Sequence, residues 1–94
     1  MKSILQDEKV CYITGQTENL HEHHIYGGVA NRKISEANGF KVYLVGYLHN
    51  QSDIGVHGKD GKDLDLWLKK RCQQKFEETH TRAEFMKLIG KNYI

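Results

Sequence analysis

Residues 20–28 read Leu20-His21-Glu22-His23-His24-Ile25-Tyr26-Gly27-Gly28. Residues 19–25 predict a short extended run, and Gly27-Gly28 breaks it. Adjacent residues of a strand point to opposite faces, so the rings of His23 and His24 diverge. Imidazole is the commonest metal ligand and the side chain best tuned for proton transfer near neutral pH. One ring of the pair can therefore ligate a cation while its neighbour stays free as a base.

Working outward, Phe40–Val45 is rich in β-formers and predicts the second strand. Between the two strands, residues 29–37 predict a polar excursion with one helical turn, followed by the turn dipeptide Asn38-Gly39. Upstream, residues 1–8 predict a loose lead-in, and residues 9–14 a short strand turning at Gly15. Residues 49–62, with Gly55, Gly58 and Gly61, predict a short helix or irregular loop. From Asp63 the period changes. Leu64, Trp67, Leu68, Cys72 and Phe76 fall on one helical face, with Asp63 as N-cap and Asp65 favourably placed at the positive end of the helix dipole. A second helix opens at Thr81-Arg82-Ala83-Glu84, a capping-box pattern. Phe85, Met86 and Ile89 form its apolar side, and Gly90 ends it. The expected fold class is α+β, with two C-terminal helices over the strand pair.

Ninety-four residues predict a single domain, 1–94. With 38% hydrophobic and 28% charged residues, the composition is that of a globular protein. No apolar run approaches the roughly 20 residues of a membrane span, and residues 1–8 lack the apolar stretch of a signal peptide. An intracellular protein with no membrane partner is expected. The formal net charge of +2 admits a polyanionic partner without requiring one. Cys11 and Cys72 are expected as free thiols.

Downstream of the His pair, His49-Asn50 and His57 supply further nitrogen donors. Hydrolysis of a phosphodiester needs an activated water, a positioned phosphate and charge stabilisation on the leaving oxygen. One cation and one free histidine can meet those needs. The segments Leu20-His-Glu-His-His-Ile25, Val42-Tyr-Leu-Val-Gly-Tyr-Leu-His-Asn50 and Gly55-Val-His57 resemble the HNH nucleases, also called His-Me finger or ββα-metal nucleases. The ordered set is followed by Leu64-Asp-Leu-x-Leu-Lys69 and Phe85-Met-x-x-x-Gly-Lys-Asn-Tyr93, and the resemblance runs from about Cys11 to Tyr93. Within the family the chain is similar to small phage-encoded proteins, including those related to recombination-enhancement nucleases.

The resemblance implies an irregular ββα-metal unit that cleaves DNA, with His24 as general base and His23, His49 and His57 as ligands of one divalent ion. Asp53 is the alternative to His57. Asn38 is the first choice for the asparagine that orients the base, and Asn31 the second. Manganese, magnesium, nickel and zinc all remain open, imidazole ligands favouring the transition metals. Activity is expected to fall below about pH 6.5, where imidazoles protonate. Many relatives also carry a structural zinc knuckle. Here its positions read Cys11, Thr14, Val45 and Leu48, so no structural zinc is expected and Val45 and Leu48 should pack as core instead. The resemblance further implies a phage or prophage protein of the bacterial cytoplasm. A host or phage recombination protein is a conceivable partner, because the basic surface is limited, and oligomeric state is open. The rival reading is an inactive HNH-like module that binds nucleic acid or inhibits a protein.

Around the histidines, Arg32, Lys33, Lys59 and Lys62 lie in polar segments and are either solvated or contacts for phosphate. His21 is read as a strand-face bystander near the site and His80 as an exposed residue between helices. Trp67 is read as core, Cys72 as buried and inert, and Cys11 as a remnant or small core residue. Lys69, Lys70 and Arg71 are read as a solvated helix face.

Overall fold

The β-branched and aromatic residues of the second run pair with the histidine run as expected. In the computed structural model, which describes residues 1–94, β1 (Leu20–His24) and β2 (Lys41–Val45) form a two-stranded antiparallel sheet. Leu20 faces Val45, His23 faces Val42 and His24 faces Lys41. Pairing continues one step beyond the strands, where Ile25 N–H donates to the Phe40 carbonyl at 2.9 Å. Val42, Leu44 and Val45 are buried.

The strands are not joined by a tight turn. Residues expected as one helical turn form α1 (Val29–Asn38), ten residues long. Ala30, Ile34 and Ala37 mark one helical face at i, i+4 and i+7, a quiet signal because two of the three are alanines. Tertiary contacts stabilise it. Ser35 is fully buried; its hydroxyl donates to the Tyr26 carbonyl at 2.9 Å and accepts from the Tyr26 N–H at 3.3 Å. Asn38-Gly39, expected as a hairpin turn, instead terminates α1. Gly39 sits at φ 72°, and its N–H donates to the Ser35 carbonyl, the left-handed helix ending that favours glycine.

After β2 come the short α2 (Gly46–His49), then α3 (Lys62–Phe76) and α4 (Arg82–Ile89). The chain is thus a small mixed α+β unit: a strand pair with helices, of ββα type. No helix is long and apolar enough to cross a membrane. The core centres on Tyr26, Phe40, Phe76 and Phe85. Phe40 meets Tyr26 at 5.5 Å and Phe76 at 5.4 Å between ring centroids, both edge-on, the arrangement the ring quadrupoles favour. Leu68 and Cys72 complete the seam of α3, and burial pushes the Cys72 thiol up to about 12. Val45 is buried and Leu48 packs against the core. Cys11 is buried as well, its thiol accepting from Thr14 N–H at 3.5 Å.

Several expectations change. Trp67 is 49% exposed rather than core. The i+4 ladder Leu64–Leu68–Cys72–Phe76 forms the seam, and Trp67, three residues from Leu64, falls at its rim beside Tyr12 (6.2 Å between rings). Gly61, not Asp63, caps α3, which leaves Asp63 and Asp65 inside the first turn. Residues 9–14 are turns, not a strand; a single bond, Tyr12 N–H to the Tyr43 carbonyl at 2.9 Å, attaches them to β2. The N-terminal lead-in is tied down. Gln6 accepts from Tyr43 N–H at 2.7 Å and donates to the Val10 carbonyl at 2.9 Å. Ile4 and Leu5 pack on the core.

The capping box of α4 is complete: Thr81 accepts from Glu84 N–H at 3.1 Å while the Glu84 carboxylate accepts from Thr81 N–H at 3.0 Å. Thr81→Ala should therefore cost about 1 kcal/mol of stability in urea denaturation. An unchanged midpoint would show that α4 is held by Phe85 and Ile89 alone.

Candidate metal-binding site

The two-residue period of β1 sends His21 and His23 to one face and Glu22 and His24 to the other. On the first face His23 is 3% exposed, and its Nε2 is buried without a hydrogen-bond partner. A buried imidazole nitrogen left so is costly, on the order of 1–3 kcal/mol, until something binds it. Two further imidazoles face it. His49 comes from the last residue of α2 and His57 from the loop that follows. Backbone bonds fix that loop: Val56 N–H donates to the Leu48 carbonyl at 2.9 Å and His57 N–H to the His49 carbonyl at 3.0 Å. Gly61 allows the loop to fold on itself, since a Cβ there would collide with the Gly55 carbonyl.

The ring centroids stand 5.2 Å apart for His23–His49, 5.2 Å for His23–His57 and 4.7 Å for His49–His57. One nitrogen from each lies within 4.8 Å of the others, so the three form a group able to hold a metal ion. The donor chemistry fits: neutral imidazole suits zinc or nickel. Burial, reinforced by the neighbouring His49 and His57, pushes His23 down to about 3. Burial, then His57 and His21, pushes His49 down to about 4. These two rings keep their lone pairs well below pH 6.5, so the acid limit expected from ordinary histidine moves lower for them.

His21 is more than a neighbour. Its Nδ1 lies 3.0 Å from His49 Nδ1. With His49 as the donor in that pair, His49 Nε2 carries the lone pair, which is how ligand histidines are usually oriented.

On the opposite face His24 Nε2 meets Glu36 Oε2 at 2.9 Å. Glu36 belongs to α1, and Lys41, opposite His24 across the sheet, bonds the same carboxylate at 2.9 Å and Glu22 at 3.6 Å. Lys41 first, then His24, pulls Glu36 down to about 2, and the pairing with Glu36 raises Lys41. Glu22, His24 and Glu36 form a second group with metal-ligating atoms within 4.8 Å. The Lys41 ammonium already bridges its two carboxylates.

Both faces open onto one cleft of about 430 Å³, lined by His23, His24, His49, His57, Glu22, Arg32 and the Gly27–Val29 backbone. His23, His24, His49 and His57 thus come together. The others do not all join them. Asp53 is exposed and paired with Lys59 at 3.7 Å, outside the histidine group. Asn38 lies at the far end of α1, donating to the Ile34 carbonyl at 2.9 Å, and lines a different surface with Phe76 and His80. Asn31 sits in the first turn of α1 and does not line the cleft. Arg32 does line it, whereas Lys33, Lys59 and Lys62 are exposed elsewhere. His80 is exposed and stacked on Phe76 at 4.1 Å. The residues that sequence reasoning missed are Glu36 and Lys41. Alternation placed Glu22 beside His24, but only the helical register of α1 brings Glu36 there.

Comparison of the chain with protein-family models, curated proteins and solved structures gave no match.

Proposed function

We propose that this chain is a metal-dependent endonuclease of the HNH type that hydrolyses DNA phosphodiester bonds. The observation that carries the reading is that a cleft brings the imidazoles of His49 and His57 to the unpartnered Nε2 of His23, with a carboxylate-paired histidine, His24, in the same wall. His23, His49 and His57 would hold one divalent ion. That ion supplies electrophilic stabilisation of the phosphoryl group and of the leaving oxygen.

The chain's own groups do the rest. His24, donating Nε2–H to Glu36, presents Nδ1 as the base that takes a proton from the attacking water. Glu36 fixes that tautomer and orientation and stabilises the imidazolium that results. In this reading Glu36 takes the orienting role assigned to Asn38 from the sequence. Lys41 keeps Glu36 ionised for that task. Arg32, at the rim, offers a cation to a DNA phosphate.

The test is nicking of supercoiled plasmid by purified protein with manganese, magnesium, nickel or zinc. His24→Ala should lower the rate by a factor on the order of 10² or more while metal binding persists. Plasmid left intact with every metal would overturn the nuclease reading and favour a binding module.

A further inference from the structure

We infer that the N-terminus of α1 is a phosphate subsite of the same cleft, built from the free amides of Val29, Ala30 and Asn31 together with Arg32. The inference rests on the nuclease reading only for the source of the phosphate, which we take to be the DNA backbone.

The first turn of a helix has N–H groups without intrahelical partners and carries positive dipole charge. In α1 the first intrahelical bond is Arg32 N–H to the Gly28 carbonyl at 2.8 Å, and the amides of residues 29–31 donate to no backbone acceptor. Gly28, the N-cap, provides no side-chain cap, and the first turn holds no acidic residue. Gly28 has φ 91°, a backbone state reserved for glycine. A Cβ at Gly27 or Gly28 would meet nothing within 4 Å, so the backbone there is bare and approachable. Arg32, one turn along the helix, lines the same opening.

An independent feature points to a ligand in this cleft. His23, only 3% exposed, lines it with Nε2 unpartnered. The one carboxylate on the lining, Glu22, is engaged by Lys41 at 3.6 Å. Anions are bound by backbone amides at helix N-termini in this way, with an arginine adding charge and directional hydrogen bonds. Here the amides and the imidazole group border one opening, so a phosphodiester resting on α1 would lie beside the histidines. Val29 is 85% exposed at that edge, which makes it a side chain that can be exchanged without disturbing the core.

The experiment is an amide NMR titration of the full-length, metal-free protein with inorganic phosphate, and in parallel with a short DNA single strand. The amides of residues 29–31 and the Arg32 side chain should shift and saturate with both. Val29→Asp, which sets a carboxylate at the helix start, should weaken binding about tenfold, whereas Val29→Asn should leave it within about twofold of the wild type. Unmoved amides, or equal affinity in the Val29→Asp variant, would overturn the subsite. Response to phosphate but none to DNA would overturn the assignment to nucleic acid. The nuclease reading fails separately: absence of nicking with intact phosphate shifts removes the enzyme and keeps the anion site. Nicking with unmoved amides does the reverse.

Discussion

Manganese, nickel or zinc added to the metal-free protein should raise its thermal midpoint strongly, and His57→Ala should abolish the effect. A ligand that binds only the folded state stabilises it by about 2.7 kcal/mol at a hundredfold its Kd. For a domain of this size that corresponds to a rise of roughly 10–20 °C. The His57 side chain is exposed and its position is set by backbone bonds, so alanine there should leave the apo protein folded. His49→Ala should behave alike, since the ring is only half-buried. His24→Ala should keep the full metal-induced rise, because His24 lies outside the three-imidazole group. Differential scanning calorimetry with and without metal separates these cases. A full rise retained in His57→Ala would remove that ring from the ligand set.

Acidification should destabilise the metal-free protein over the range from about pH 6.5 to about pH 3. In the unfolded chain histidine titrates near 6.5. In the folded protein burial holds His23 near 3 and His49 near 4. Between those values the unfolded state binds protons that the folded state refuses, so stability is full above pH 6.5 and declines as pH falls. For His23 alone a shift of that size corresponds to something on the order of 5 kcal/mol once both limits are passed. His49 adds less, because solvent screens it more. Glu36 acts in the same direction at the acid end. Its folded value of about 2 means that its contribution is present above its ordinary value of 4.5 and is lost below it. Urea denaturation at pH 7 and pH 4 measures the difference, and His23→Leu should flatten it. Equal midpoints at the two pH values in the wild type would contradict the burial of a neutral His23.

The sequence announced what depends on local pattern. Strands 20–24 and 41–45, the Thr81–Glu84 capping box and the seam of α3 are written in period and composition. The grouping of His23, His49 and His57 was an expectation implied by the resemblance to HNH nucleases, and the three rings do come together. What stayed hidden depends on tertiary context. The helix α1 marks its apolar face mainly with small side chains, Ala30 and Ala37 beside Ile34, and is held through the buried Ser35 and the Gly39 ending. Asn38-Gly39 carries the same signal for a turn between strands and for a helix terminus, and in the fold it ends α1. Glu36 meets His24 only through the full register of α1, which a polar excursion with one helical turn does not supply. Gln73 is fully buried on α3. Its amide donates to Asn92 at 2.8 Å and accepts from Tyr93 N–H at 2.8 Å, pinning the C-terminal residues to α3. Nothing in a polar residue on a helix foretells such a clamp.

The loop carrying the third imidazole has a consequence for how such centres vary. His57 is delivered by the carbonyls of Leu48 and His49, which receive the Val56 and His57 amides. The separation of the two histidines along the chain is therefore elastic: a longer or shorter excursion that returned to the same two oxygens would present its ring equally well. Docking points on the backbone, rather than a count of intervening residues, are what inheritance must preserve.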